Sequence, residues 1–258
     1  MSRDRTAPGN MPGGRLIAMP AGMMVGLMGL VGCAAEAEDP PPRESYAAVS
    51  ATESEAPDGP GLLDQDEIAE LLLDEDEFPF SPVRYVEEVG PAYFHEHIAV
   101  VGDSYTGNFG DDLCAAQMDS INELLVGEAP QSGVFRAVTG EIDGREGTFY
   151  VWMLSHEDPV DTGAIWDSVL HACDGHTLES ETDVIDLSAV DHLDFRGLAM
   201  EMSANGGDEG LDVDGFSATR DLGNSTLMIS AVHVDAVTFG DVVQAQSEKL
   251  EERLSAEE

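Results

Sequence analysis

Apolar side chains recur at helical spacing in four stretches of the chain. From Asp64 to Leu73, Ile68, Leu71 and Leu72 share one face, and Asp64, Asp66 and Glu67 suit the positive end of a helix dipole. From Leu113 to Leu125 the apolar positions are Leu113, Ala116, Ile121, Leu124 and Leu125, behind Asp111 and Asp112. From Ala164 to Cys173, the residues Ile165, Trp166, Val169 and Leu170 form a stripe. From Phe239 to Leu254 the residues Phe239, Val242, Val243, Leu250 and Leu254 turn inward, while Glu248, Glu251 and Glu252 face water.

Strand-like runs lie between these helices. Val134–Gly140 and Thr148–Leu154 flank Asp143-Gly144, a hairpin signal. Gly197–Ser203, Val213–Thr219 and Thr226–Val234 follow, and Ile98–Gly102 is a short apolar run read as a further strand. Trp152 and Trp166 fall on apolar faces and are read as core. No internal repeat is present. Helices alternating with hairpins predict an α+β fold: an antiparallel sheet with helices packed mainly on one face.

The first 33 residues break this pattern. Arg3, Arg5 and Arg15 precede Leu16–Gly32, which carries no charge and is short for a membrane span of roughly 20 residues. A basic start, an apolar middle and a small-residue exit describe an export signal over residues 1–32. Its ending, Leu30-Val31-Gly32-Cys33, resembles the bacterial lipobox. That resemblance implies cleavage before Cys33 and a diacylglyceryl group on its sulfur, with acyl chains such as palmitate holding the chain to the cell membrane from outside. Residues 33–61 are rich in Ala, Glu, Ser and Pro and read as a disordered tether, spanning on the order of 30 Å as a coil. Residues 62–258 read as one globular domain.

Charge narrows the functional classes. The chain has 258 residues, 11 Lys+Arg and 52 Asp+Glu, a formal charge of −41, and Lys249 is its single lysine. Such a surface excludes nucleic acid, whose binding needs cations to displace phosphate counterions. It also excludes docking on anionic headgroups through a basic patch. Outside the cytoplasm the two remaining cysteines, Cys114 and Cys173, are expected to pair. A bridge would clamp the second predicted helix to the third, and closing a loop of about 60 residues contributes roughly 4 kcal/mol.

Three motifs carry candidate chemistry. Val101-Gly-Asp-Ser-Tyr105 resembles the first block of the GDSL hydrolases, which implies Ser104 as a nucleophile. That family's Asp-x-x-His does not occur, because no histidine follows an aspartate by three residues. His95-Glu96-His97, if on a strand, would point two imidazoles the same way for a metal. Gly210-Leu-Asp-Val-Asp-Gly215 echoes a calcium loop, with Asp212, Asp214, Gly215 and Asp221 at its third, fifth, sixth and twelfth positions. Each set is incomplete, so the reading assigns no catalytic residue, metal ligand or cofactor.

Several features beyond Leu62 lie together in one order: Leu62-Leu63-Asp64, the Cys114 helix, a hairpin ending in Phe149-Tyr-Val-Trp-Met153, the Trp166-x6-Cys173 helix, and a last helix with Gln246-x2-Lys249-Leu250. This order resembles actinobacterial secreted lipoproteins that are similar to the extracellular sensor domain of PknH-type serine/threonine kinases. The resemblance implies an antiparallel sheet with helices around a cleft, and a small ligand. The kinase sensor's second disulfide has no counterpart among the 3 cysteines here. The expected function is therefore a lipid-anchored, non-enzymatic protein binding an envelope ligand or partner. A GDSL-like esterase using Ser104 and a structural or calcium-binding surface protein are the alternatives.

Overall fold

The computed structural model describes residues 59–100, 104–142, 144–204 and 212–255. The export signal, Cys33 and the tether up to residue 58 lie outside the described residues, as do Val101, Gly102 and Asp103 of the GDSL-like block. In chain order the elements are α1 (Gln65–Leu71), a 3₁₀ turn (Glu75–Glu77), β1 (Pro82–Val89) and α2 (Pro91–Tyr93), which widens into a π-turn over Phe94–Ile98. Then come α3 (Ser104–Phe109), α4 (Leu113–Val126), β2 (Pro130–Ile142), β3 (Arg145–His156) and α5 (Thr162–Cys173). Strands β4 (Thr177–Glu179), β5 (Asp183–His192), β6 (Phe195–Ala204), β7 (Asp212–Leu222) and β8 (Ser225–Val232) lead into α6 (Ala236–Ser255).

The eight strands form one antiparallel sheet in the order β1-β2-β3-β8-β7-β6-β5-β4. It consists of two meanders joined through the β3–β8 pair, where Tyr150 faces Ser230 and Trp152 faces Met228. Where the chain enters β3, Gly144 takes φ +78°, a conformation a side chain would strain. The fold class is the α+β arrangement expected from the sequence.

Alternation along the strands sends apolar side chains to both faces. Val134, Val138, Phe149 and Val151 point to one face, where α1 and α6 cover them with Ile68, Leu72, Val242 and Leu250. Phe135, Tyr150, Trp152 and Met228 point to the other, under α2, α3, α4 and α5. Four of the six helices therefore share one face.

On the α1/α6 face the short first helix is held by side chains from elsewhere. Asp64 caps it in a reciprocal box with Glu67. At its other end the orphan carbonyls are taken up by buried partners. Arg136, 3% exposed, donates through Nη1 to the oxygens of Leu72 (2.7 Å) and Leu73 (2.9 Å), and through Nη2 to Ala69 O (3.1 Å). Its Nε donates to Glu87 at 2.8 Å. Gln246 of α6 donates to Leu71 O (2.7 Å) and accepts from Leu73 N (3.1 Å). Lys249 pairs with Glu77 and lies 3.6 Å from Asp74.

Several expectations are corrected. The helix expected over Asp64–Leu73 stops at Leu71, because Leu72 is extended. The strand expected from Ile98 is instead the end of the π-turn: Phe94 and Ile98, four apart, are both buried, a helical and not an alternating pattern. Strands β1 and β5, unseen in the sequence, carry charged residues at exposed positions, such as Arg84, Asp186 and Asp191. The upstream chain reaches the sheet at the β7–β8 turn, where Asn224 N donates to Pro60 O at 3.2 Å. Gly223, at φ +59°, lets that strand end approach, since a Cβ there would lie 2.1 Å from the Pro60 oxygen.

Candidate ligand-binding site

The face beneath α4 and α5 is clamped in several places. Cys114 and Cys173 form a disulfide between the two helices, as expected. Asp112 caps α4 by accepting from the N–H groups of Cys114 and Ala115, and its other oxygen meets His176 Nε2 at 3.0 Å. Burial alone would raise the Asp112 carboxyl, but the Ala115 amide, His176 and the Cys114 amide outweigh it and hold the pKa below the ordinary value. On α5, Trp166 Nε1 donates to Thr219 Oγ1 of β7 at 2.7 Å, fixing the helix to the sheet.

Between these clamps lies a cavity of about 90 Å³, floored by β6, β7 and β8 and walled by α3, α4 and α5. Met118, Met200, Met202 and Trp166 make much of its lining, and no charged side chain among the described residues lines it. Thioethers have several soft torsions, so three methionines give walls that can reshape. Ser230 on the floor shares a 3.0 Å hydrogen bond with Ser217, so that pair is satisfied internally. Tyr105 at the α3 wall is buried, which, with Asp119 nearby, pushes its hydroxyl up to about 12 and keeps it neutral.

Asn122 stands apart. It lines the cavity and is 1% exposed, yet among the described residues neither its Oδ1 nor its Nδ2 has a hydrogen-bond partner. Leaving a buried amide unpaired costs about 1–3 kcal/mol, and native proteins rarely tolerate it without a reason.

Sequence reasoning missed Asn122 because the apolar stripe of α4 was drawn through its leucines. Leu113 and Leu124 are in fact 64% and 46% exposed. The buried line runs through Cys114, Met118, Asn122 and Val126, every fourth residue. A stripe anchored on Cys114 shows one polar interruption, at Asn122.

The other candidate residues do not assemble. Ser104 opens α3, but the amides that follow it are occupied: Asp119 accepts from Tyr105 N (2.7 Å), Thr106 N (2.9 Å) and Thr106 Oγ1 (2.6 Å). His95 and His97 are both exposed on the π-turn, not side by side on a strand, and His97 packs on Tyr93 with ring centroids 4.9 Å apart. The calcium-loop reading fails on geometry. Residues 212–222 form an extended strand, paired with β6 over Asp212–Thr219 and with β8 over Gly215–Leu222, which sets Asp221 roughly 30 Å along the strand from Asp212. Asp221 instead accepts from Thr162 at 2.7 Å, and burial raises its pKa. Among the described residues no three His, Cys, Asp or Glu gather as a metal site.

No protein-family model matches the chain, and no curated protein matches it in sequence. Among solved structures the chain is similar to the extracellular domain of PknH from Mycobacterium tuberculosis, at TM-score 0.44 and 10% identity over 74% of this chain and 98% of that one. It is also similar to CalU16 from Micromonospora echinospora, at TM-score 0.25 and 12% identity, over 46% of this chain and 92% of that one. Both are weak likenesses at the level of fold. No helix among the described residues is long and apolar enough to cross a membrane.

Proposed function

We propose that this chain is an extracytoplasmic, sensor-like lipoprotein that binds a small ligand without catalysing a reaction. The observation that carries the reading is the unpaired amide of Asn122, a residue that lines a methionine-walled cavity. A core position that leaves two polar atoms unsatisfied gives up stability, and binding is the common compensation. Two features of the sequence support the compartment: the lipobox-like Leu30-Val31-Gly32-Cys33 and a cysteine pair suited to oxidising surroundings. On this reading the membrane partner is met through the lipid on Cys33, the envelope ligand or protein through the domain, and nucleic acid is repelled by the charge.

Toluene, a neutral apolar ring, tests the binding claim, with the methionine walls moving to admit it. It should raise the melting temperature of the full chain, because a ligand of the folded state stabilises it. Gly215→Val adds a side chain to the cavity floor and should abolish the shift. No shift in the unsubstituted chain removes the reading. Cys33→Ala should release the protein from membranes, and retention there would refute the anchor. A serine-reactive fluorophosphonate should leave Ser104 unlabelled; labelling would reinstate a hydrolase.

A further inference from the structure

The unpaired amide of Asn122 specifies more than the presence of a ligand. Its Oδ1 accepts and its Nδ2 donates, side by side in one plane. A group that satisfies both must offer a donor and an acceptor at the same spacing. A primary amide and the cis-amide of a lactam do so; a ketone, an ether and an alcohol offer one strong point of contact at a time.

The surroundings restrict the ligand further. No charged side chain among the described residues lines the cavity, so an ionised ligand group would lose its hydration without a counter-charge. The chain's net charge of −41 adds long-range repulsion against anions. The Ser217–Ser230 pair already satisfies itself, which leaves the Asn122 amide as the polar contact in need of a partner. Met118, Met200 and Met202 offer apolar walls that tolerate a range of hydrocarbon shapes.

We infer that the cavity takes a neutral, largely apolar molecule ending in a primary amide or lactam, held through a paired hydrogen bond to Asn122. This rests on the reading of the cavity as a ligand site. Asn122 thus acts as the selector, and the methionines supply affinity without shape discrimination.

Three seven-membered rings of similar size separate the terms. ε-Caprolactam carries donor and acceptor, cycloheptanone an acceptor only, and cycloheptane neither. Each is titrated into the full chain and followed by tryptophan fluorescence, to which Trp166 at the cavity wall responds. Asn122→Leu should weaken ε-caprolactam binding at least tenfold, weaken cycloheptanone less, and leave cycloheptane binding equal or tighter. Asn122→Ala, which cannot fill the cavity, should show the same order. If cycloheptane binds but neither variant changes the lactam-to-hydrocarbon ratio, the amide selectivity is wrong while the cavity stands as a site. If none of the three rings binds the unsubstituted chain, the ligand-site reading itself falls, and this inference with it.

Discussion

The two faces of the sheet are closed by different means. On the α1/α6 face the buried Arg136, Gln246 and Lys249 are each spent on a carbonyl, an amide or a carboxylate, and what stays unpaired is single serine hydroxyls, those of Ser225 and Ser247. On the α4/α5 face a covalent bond clamps the helices, and an amide is left unpaired above a cavity. The first face is a filled core in which every buried charge and amide is paired. The second tolerates a deficit that a purely structural layer has no cause to keep. Buried polarity alone therefore does not mark a site; an unpaired amide on a residue that also lines a cavity is a stronger sign.

The comparison can be broken most forcefully by opening the clamp. Cys114→Ser with Cys173→Ser should destabilise the chain by about 4 kcal/mol, since the bridge closes a loop with a sequence separation of 59. Urea unfolding measures it, and a loss under about 1 kcal/mol would mean the cavity face is held by packing instead. Arg136→Met comes next. It strands three carbonyls and the Glu87 carboxylate, and should cost about 3 kcal/mol by the same measurement. Asn122→Leu should do the opposite and stabilise the ligand-free chain by about 1 kcal/mol, as it removes an unsatisfied amide. Destabilisation by Asn122→Leu would show that the amide is satisfied after all.

Acid should weaken both faces by smaller amounts. Burial alone would raise Glu77, but the Asp74 amide and Lys249 hold it below its usual 4.5. Its contribution is complete above 4.5 and is lost as pH falls through the lowered folded value. His156 behaves alike for another reason: burial keeps its ring neutral and its pKa below the usual 6.5, against the opposing hydrogen bond to Val126 O. Stability then declines as pH falls below 6.5, because the unfolded chain takes up the proton first. Melting temperatures from pH 7 to pH 3 should fall in two stages, with His156→Gln flattening the upper and Glu77→Gln the lower. A single stage untouched by either variant would assign the acid sensitivity elsewhere.

Much of this architecture was legible in the residue pattern. Strands β2, β3 and β8 stand out as near-continuous buried runs because both their faces are covered, and α5 and α6 carry clean stripes. Strands β1 and β5 escaped because their partly exposed residues include charge. The cysteine pair followed from compartment and count. The charged staple did not: Arg136 sits in a sequence that reads as a plain buried strand, and its partners in α1 lie more than sixty positions upstream. Nor did Asn122, because leucine content pulled the expected stripe of α4 around the helix. The motifs that stood out to the eye, at Ser104, His95 and Asp212, owed their salience to short spacing, which the strand and the π-turn then pulled apart.

The docking of Pro60 on the β7–β8 turn has a mechanical consequence. Val213, at the cavity, lies roughly 33 Å along the same strand from Gly223, where the incoming chain is seized. A pull transmitted through residues 59 and 60 enters the sheet at one rim, while the cavity sits toward the opposite rim. The pocket is thereby kept away from the point at which tugging on the upstream segment enters the sheet.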